Sequence, residues 1–242
     1  MRIPRVYIDT HLELNALVNL PIETHRYIVN VLRLKENNTI ILFNGLGSEF
    51  VTQIISIEKK LTIVKILQEK ITNKPSPIKI ELALSLIKND KFDFALQKTV
   101  ELGVDSITPI IATRSTIKIN SKREQNRREH WAGIIQSACE QSGRNTLPII
   151  NPVSSISDWL DASSVPIILF EPSATETLKS ISTMNKARVL IGPEGGFTEQ
   201  ELELIESAGA NKLRLGPRVL RAETAAITAV SSLQLLMGDL NL

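Results

Sequence analysis

The chain has 242 residues, 43% apolar and 22% charged, which is ordinary globular usage with room for one large or two modest cores. No apolar run reaches the ~18 residues of a membrane span, the opening "MRIPRVYIDTH" has no apolar signal-peptide stretch, and a single cysteine excludes an intrachain disulfide, so no membrane is expected and the cytoplasm is the expected compartment. The net charge of +2 is uneven: residues 1–150 carry 21 Lys/Arg against 15 Asp/Glu and residues 151–242 carry 7 against 11, which points an anionic partner at the front half.

Residues 1–72 read as mostly β. "TIILFNGLGSEFVTQIISIEKKLTIVKILQEKI" holds three runs rich in Ile, Val, Thr and Phe, joined by the hairpin signals "NGLG" and "EKK". "ETHRYIVNVLRL" precedes them, with Ile28, Val31 and Leu32 at the i, i+3, i+4 spacing of one helix face. A small β-barrel or sandwich crossed by one helix fits this pattern. "NKPSP" (73–77) then reads as a linker, because two prolines within three residues bar both helix and central strand.

From residue 78 the pattern alternates. "IKIELALSLI" reads as a strand, "DKFDFALQKTVELG" as a helix ended by Gly103, and "SITPIIA" as a strand. "KREQNRREHWAGIIQSACEQSG" is a long helix ended by Gly143. "LPII", "SISDWLDA" and "PIILFE" follow as strand, helix and strand, then "TETLKSIS" as a helix and "ARVLIG" as a strand. "TEQELELIESAG", "NKLRLG" and "AETAAITAVSSLQLLMG" complete the chain as helix, strand and helix. Such alternation predicts an α/β domain with a mostly parallel sheet and helices on both faces. Ligands bind such sheets at the carboxyl ends of strands, which points to the loops after Phe170, Ile191 and Leu215.

Two of those strands run into Gly-Pro: "VLIGPEGG" and "LRLGPRVLR". Neither has the spacing of a phosphate-binding glycine loop, and Glu194 would repel phosphate, so a nucleoside triphosphate or dinucleotide is not expected. A stiff, backbone-lined slot beside a carboxylate suits a flat ligand that is neutral or cationic, such as an adenine ring carrying a sulfonium. Thr198 and Glu201 have the spacing of a capping box that starts the next helix at once. The final helix carries no charge from Thr224 to Gly238, so it is expected deep in its domain or at a subunit interface. Its apolar stripe is 226, 229, 230, 233, 236 and 237.

"IGPEGGFT" (191–198) and "LRLGPRVLRAETAAITAV" (213–230) resemble the signature of the ribosomal RNA small subunit methyltransferase E family. "MRIPRVYI", "HRYIVNVLRLKENNTIILFNGLGSEF", "KFDFALQKTVELGVDSITPIIATRS" and "ACEQSGRNTLP" extend the resemblance along the whole chain, in the family's order. The resemblance implies a SPOUT-class domain with a C-terminal trefoil knot, over residues 78–242, and a PUA-like RNA-binding β-barrel over 1–72. It further implies a homodimer, S-adenosyl-L-methionine as cofactor, and methylation of uridine N3 in 16S rRNA, free or in the small ribosomal subunit. Carried onto this chain, the cofactor contacts are Leu169, Phe170, Ile191, Gly192, Gly195, Gly196, Leu215, Gly216, Leu220, Thr224 and Ala225.

Uracil N3 is a poor nucleophile until it loses its proton, so the site must stabilise an anion whose charge falls on the carbonyl oxygens. An arginine fork suits that task. Arg221 is the first candidate and Arg114, at another strand end, the second. Glu223 has three readings: proton acceptor, partner that holds Arg221, or complement to the positive end of the last helix. Cys139 lies on the stripe of Trp131, Ile134, Ile135 and Ala138, which makes it a core residue, not a nucleophile. The three histidines lack metal-ligand spacing, so no metal is expected. RNA contacts are expected from Arg5, His25, Arg33, Lys88, Lys91 and Arg144, and from the basic helix start "SKREQNRREH". Two alternatives stay open on the sequence: another SPOUT methyltransferase with a tRNA or ribose target, and a non-catalytic RNA-binding assembly factor.

Overall fold

The computed structural model describes residues 3–71, 75–115, 117, 121–161 and 165–240. The chain divides into two units, residues 1–74 with 139–147, and residues 75–138 with 148–242. The sequence reading left 139–147 in the C-terminal domain; the structure groups it with the first unit. The expected linker at 73–77 falls partly outside the described residues.

The first unit holds a five-stranded sheet. Its strands are β1 (Arg5–Tyr7), β2 (Leu17–Asn19), β3 (Thr39–Phe43), β4 (Ser48–Ile57) and β5 (Thr62–Ile71), in the order β1-β3-β4-β5-β2. β3, β4 and β5 are the three runs the sequence shows, and their alternate residues Ile40, Leu42, Ile54, Val64 and Ile66 are fully buried in one core. The short edge strands β1 and β2 went unread, because three residues cannot display a period. The expected helix over 23–34 is instead α1 (Ile22–Arg26) running into a π turn (Tyr27–Val31). A π turn holds more residues per turn than an α turn. Ile28 therefore stays buried while Val31, expected on the same face, is 65% exposed.

The second unit carries β6 (Lys79–Ser85), β7 (Ser106–Ile111), β8 (Ile149–Ile150), β9 (Ser154–Ser155), β10 (Ile167–Phe170), β11 (Lys186–Ile191) and β12 (Asn211–Leu213). They form one sheet in the order β12-β10-β11-β6-β7-β8, with β9 also on β7, and every pairing is parallel. The helices are α2 (Asn89–Glu101), α3 (Ser121–Ser142, ending in the first unit), α4 (Ile156–Asp161), α5 (Glu199–Ser207) and α6 (Ala222–Met237). "TETLKSIS" does not form the expected helix: Thr177 is extended and bridges to Arg214, leaving one 3-10 turn at Leu178–Ser180.

α6 packs on α2, β6 and β11. Its buried stripe is Ala226, Ala229, Val230 and Leu233, as the spacing predicts, but Leu236 is 51% exposed and Gln234 is fully buried. Gln234 is satisfied on every side: its Nε2 donates to the Gly103 carbonyl at 3.1 Å, and its Oε1 accepts from Ser76 Oγ at 2.8 Å and the Asp239 amide at 3.2 Å. Burying an amide costs little once it is bonded.

Candidate functional site

Register brings three strand ends together. Phe170 lies opposite Ile191 on one side and Leu213 on the other, so the loops after β10, β11 and β12 open at one edge of the sheet. They enclose a cavity of about 440 Å³. Phe170, Ile191, Gly192, Gly195, Gly196, Leu215, Gly216, Leu220 and Ala225 line it, nine of the eleven positions expected to touch a cofactor. Leu169 and Thr224 do not: Leu169 alternates into the core at 0% exposure, and Thr224 faces outward. The wall also includes Pro193 and Glu194 of the Gly-Pro loop, and Glu171, Pro172, Arg218 and Val219, to which the sequence does not point.

The glycine loop is held by close packing and by a charged strut. A Cβ at Gly192 would sit 3.0 Å from the Phe197 ring, close enough that the ring would have to shift by a few tenths of an ångström, and Gly196 has φ +68°. Thr198 caps α5 in the expected box: its Oγ1 accepts from the Glu201 amide at 3.2 Å while Glu201 accepts from the Thr198 amide at 2.8 Å. Glu201 also accepts from the Thr113 amide at 2.7 Å, which ties the loop after β7 to the same point. Burial alone would raise the Glu201 pKa, but the hydrogen bonds from Thr198 and Thr113 outweigh it and hold it below the ordinary value. A lowered carboxylate contributes stability that is complete above its unfolded pKa, near ~4.3, and lost as pH falls through the folded value. Glu201→Gln should flatten the acid limb of the stability curve. Identical acid-unfolding profiles of the two proteins by circular dichroism would contradict this.

Arg114 is not at the cavity. Its Nη1 donates to the carbonyls of Gly195 at 3.0 Å and Phe197 at 3.3 Å, so it braces the loop, and within one chain it does not line the cavity. Arg221 does line the cavity, exposed, and its side chain makes no hydrogen bond among the described residues. Arg218, three residues earlier in the same turn, shares that situation and went unread; the repeated Arg in "GPRVLR" was the available signal. Glu223 is buried at 9% exposure, off the cavity wall, and its Oε2 has no partner. It forms no bond to Arg221, so the holding role is excluded among the described residues.

Several expected RNA contacts are corrected as well. Arg5 is buried in an ion pair with Glu49 and bonded to Asn145, and His25 is 6% exposed with its ring bonded to Thr62 Oγ1 at 2.8 Å. Both side chains are turned inward onto neighbours, although Arg5 Nε keeps no partner of its own, which leaves them no face for RNA. Arg33 and Lys88 are exposed and Arg144 is half-buried. Lys91 lies 3.7 Å from Glu194, an ion pair at the cavity wall. The basic helix start at 121–130 falls partly outside the described side chains.

Cys139 is fully buried, its thiol 3.7 Å from the Thr146 carbonyl, and burial pushes its pKa to about 11. No thiolate is available at neutral pH. Ellman's reagent should find no thiol in the native protein and one in guanidinium; rapid native reaction would overturn this. Among the described residues no group of three or more His, Cys, Asp or Glu converges as a metal site would, and no helix is long and apolar enough to cross a membrane.

Comparison with known proteins bears directly on this site. Residues 74–234 match the family model of the RNA methyltransferase domain, and residues 23–67 that of the RNA methyltransferase PUA domain. Fold and site thus define an α/β RNA methyltransferase with a PUA domain. A ribosomal RNA small subunit methyltransferase E of Buchnera aphidicola is 37% identical over 99% of both chains, and one of Bacillus subtilis 32% identical over 90% of both. The chain belongs to the ribosomal RNA small subunit methyltransferase E family. The structure of the family member from Neisseria gonorrhoeae, bound to S-adenosyl methionine, superposes with a TM-score of 0.92 at 37% identity over 99% of this chain and all of that one. A Legionella pneumophila structure described as a methyltransferase with bound SAM gives 0.95 at 36% identity, with the same coverage.

Proposed function

We propose that the protein transfers a methyl group from S-adenosylmethionine to N3 of a uridine in 16S rRNA. The observation that carries this is the 440 Å³ cavity at three parallel strand ends, lined by glycine backbone and flanked by two unbonded arginines. The residues present fit the cofactor. Gly192, Gly195 and Gly196 let backbone approach an adenine ring, and Glu171 puts a carboxylate on the wall, of the sign that suits a sulfonium. When bound, the cofactor supplies a methyl group on positive sulfur. Arg221 meets the carbonyl oxygens of the uracil as N3 loses its proton, and Glu223 is the proposed acceptor of that proton.

The same reading includes the trefoil knot, which the convergence of the loops at 192–196 and 215–221 on one cavity supports. It includes a homodimer as well. α6 has no charge from Thr224 to Gly238, and Leu235 and Leu236 are 56% and 51% exposed on it, an apolar outer face of the kind a second copy covers. The cytoplasm follows from the substrate. Mass mapping of 16S rRNA from cells with and without the gene tests the reaction: the uridine N3 methyl should vanish on deletion and return with the wild-type chain. An unchanged methyl would refute the proposal.

A further inference from the structure

A second recess, of about 220 Å³, lies between α2 and α3. That is the room of about seven waters, enough for one nucleobase. Its floor is aromatic: the rings of Phe92 and Trp131 pack at a 35° tilt with centroids 4.7 Å apart, 1% and 2% exposed. Its rim is polar. Asn89 and Asn126 are exposed and Arg127 half-buried, and none of the three has a hydrogen-bond partner among the described residues. His130 and Asp93 close one wall, bonded to each other at 2.7 Å.

Two free carboxamides over an aromatic floor are the chemistry that reads a base, since each offers a donor and an acceptor at fixed spacing. A free guanidinium beside them suits a phosphate or a base carbonyl. Position adds a second argument. The first turn of α2 serves both sites: Lys91 pairs with Glu194 of the 440 Å³ cavity, while Asn89 and Asp93 line the recess. A helix is only about 10–12 Å across, so a single strand that presents a uridine at the cavity reaches the recess within a few nucleotides. Lys88, exposed just before Asn89, adds positive charge on the path.

We propose that this recess is a second nucleotide subsite, which takes a base flanking the target uridine, turned out of stack in the substrate RNA. The proposal rests on the reading of the protein as an rRNA methyltransferase. It lets a chain with only 4% aromatic residues select a site with two pocketed bases, one for chemistry and one for register, instead of an extended row of stacked bases.

Two measurements on the full-length protein test it. In the first, tryptophan fluorescence is followed on addition of AMP, UMP, CMP or GMP, with the cofactor cavity saturated by S-adenosylhomocysteine and inorganic phosphate as control. Quenching by at least one nucleotide and not by phosphate is expected, and its loss in Asn89→Ala/Asn126→Ala. In the second, steady-state methylation of 16S rRNA should show the double variant's KM for RNA raised about tenfold, with kcat and cofactor affinity unchanged; both asparagines are exposed, so the fold is not at stake. A response to phosphate alone, no response to any nucleotide, or an RNA KM within twofold of wild type would each overturn the subsite. Absence of methyl transfer by the wild-type chain would count against the functional reading instead, and the fluorescence arm would still decide whether the recess takes a nucleotide.

Discussion

Arg221→Ala should lower kcat for rRNA methylation by about 10²–10³-fold while leaving cofactor affinity within about threefold. Removal of one preorganised donor to a developing oxyanion costs this much in other enzymes, and the uracil anion is the only charge the proposed reaction creates on the substrate. The structure separates this effect from a structural one. Arg221 is the N-cap of α6 but makes no side-chain cap hydrogen bond, and it is exposed, so alanine costs the helix little. Arg221→Lys should recover only part of the loss, because an ammonium cannot span two carbonyl oxygens as a guanidinium fork does. A turnover within fivefold of wild type for Arg221→Ala would shift the role to Arg218, which lines the same cavity. Isothermal titration with S-adenosylmethionine, run beside the kinetics, shows whether the cofactor slot has survived.

The parallel sheet and its ligand edge were legible because they rest on local signals. Apolar strands alternate with amphipathic helices, Thr198 and Glu201 spell a cap, and glycines at 192, 195 and 196 mark close backbone approach. What stayed hidden is set by partners far along the chain. Arg5 reads as a surface cation until Glu49 is placed against it, and His25 until Thr62 is. Gln234 reads as the polar side of α6 until Gly103 and Ser76 supply its bonds. Arg114 sits at a strand end, and the bonds of its Nη1 to two carbonyls of the glycine loop were not visible until that loop was placed against it. In each case the residue type was read correctly as polar, and the direction it faces was fixed by tertiary contacts that no period in the sequence encodes.

Arg188 is the sharpest of these cases and carries the second large prediction. In "KARVLI" it looks like a charge turned to solvent, yet it is 1% exposed in the middle of β11. Its guanidinium lies 3.9 Å from the centre of the Trp159 ring, its Nε is 3.6 Å from Glu81 Oε2, and its terminal nitrogens donate to the carbonyls of Trp159 and Leu160 at the end of α4. Trp159 Nε1 in turn donates to Glu81 Oε1 at 2.6 Å, so cation, carboxylate and indole form one closed network. Burial lowers the arginine pKa and Glu81 raises it, the burial effect being the larger. Arg188→Ala leaves Glu81 without its cation and two helix-end carbonyls without donors, at a cost of about 3–5 kcal/mol. For a chain of this size a kcal/mol is worth roughly 2–4 °C, so the melting temperature should fall by about 10 °C. Arg188→Lys should not rescue it, since an ammonium cannot stack on Trp159 and reach both carbonyls. Arg188→Met paired with Glu81→Gln should recover much of the loss, because apolar bulk of similar length refills the space and no lone charge remains. Melting curves of the three variants decide the matter: an Arg188→Ala protein within 2 °C of wild type would mean that the network contributes nothing, whereas the expected drop, with the double variant above the single, would place the arginine's value in pairing rather than in volume. Since β11 ends at Ile191, directly before the glycine loop, the single variant should also lose cofactor affinity at temperatures where it remains folded.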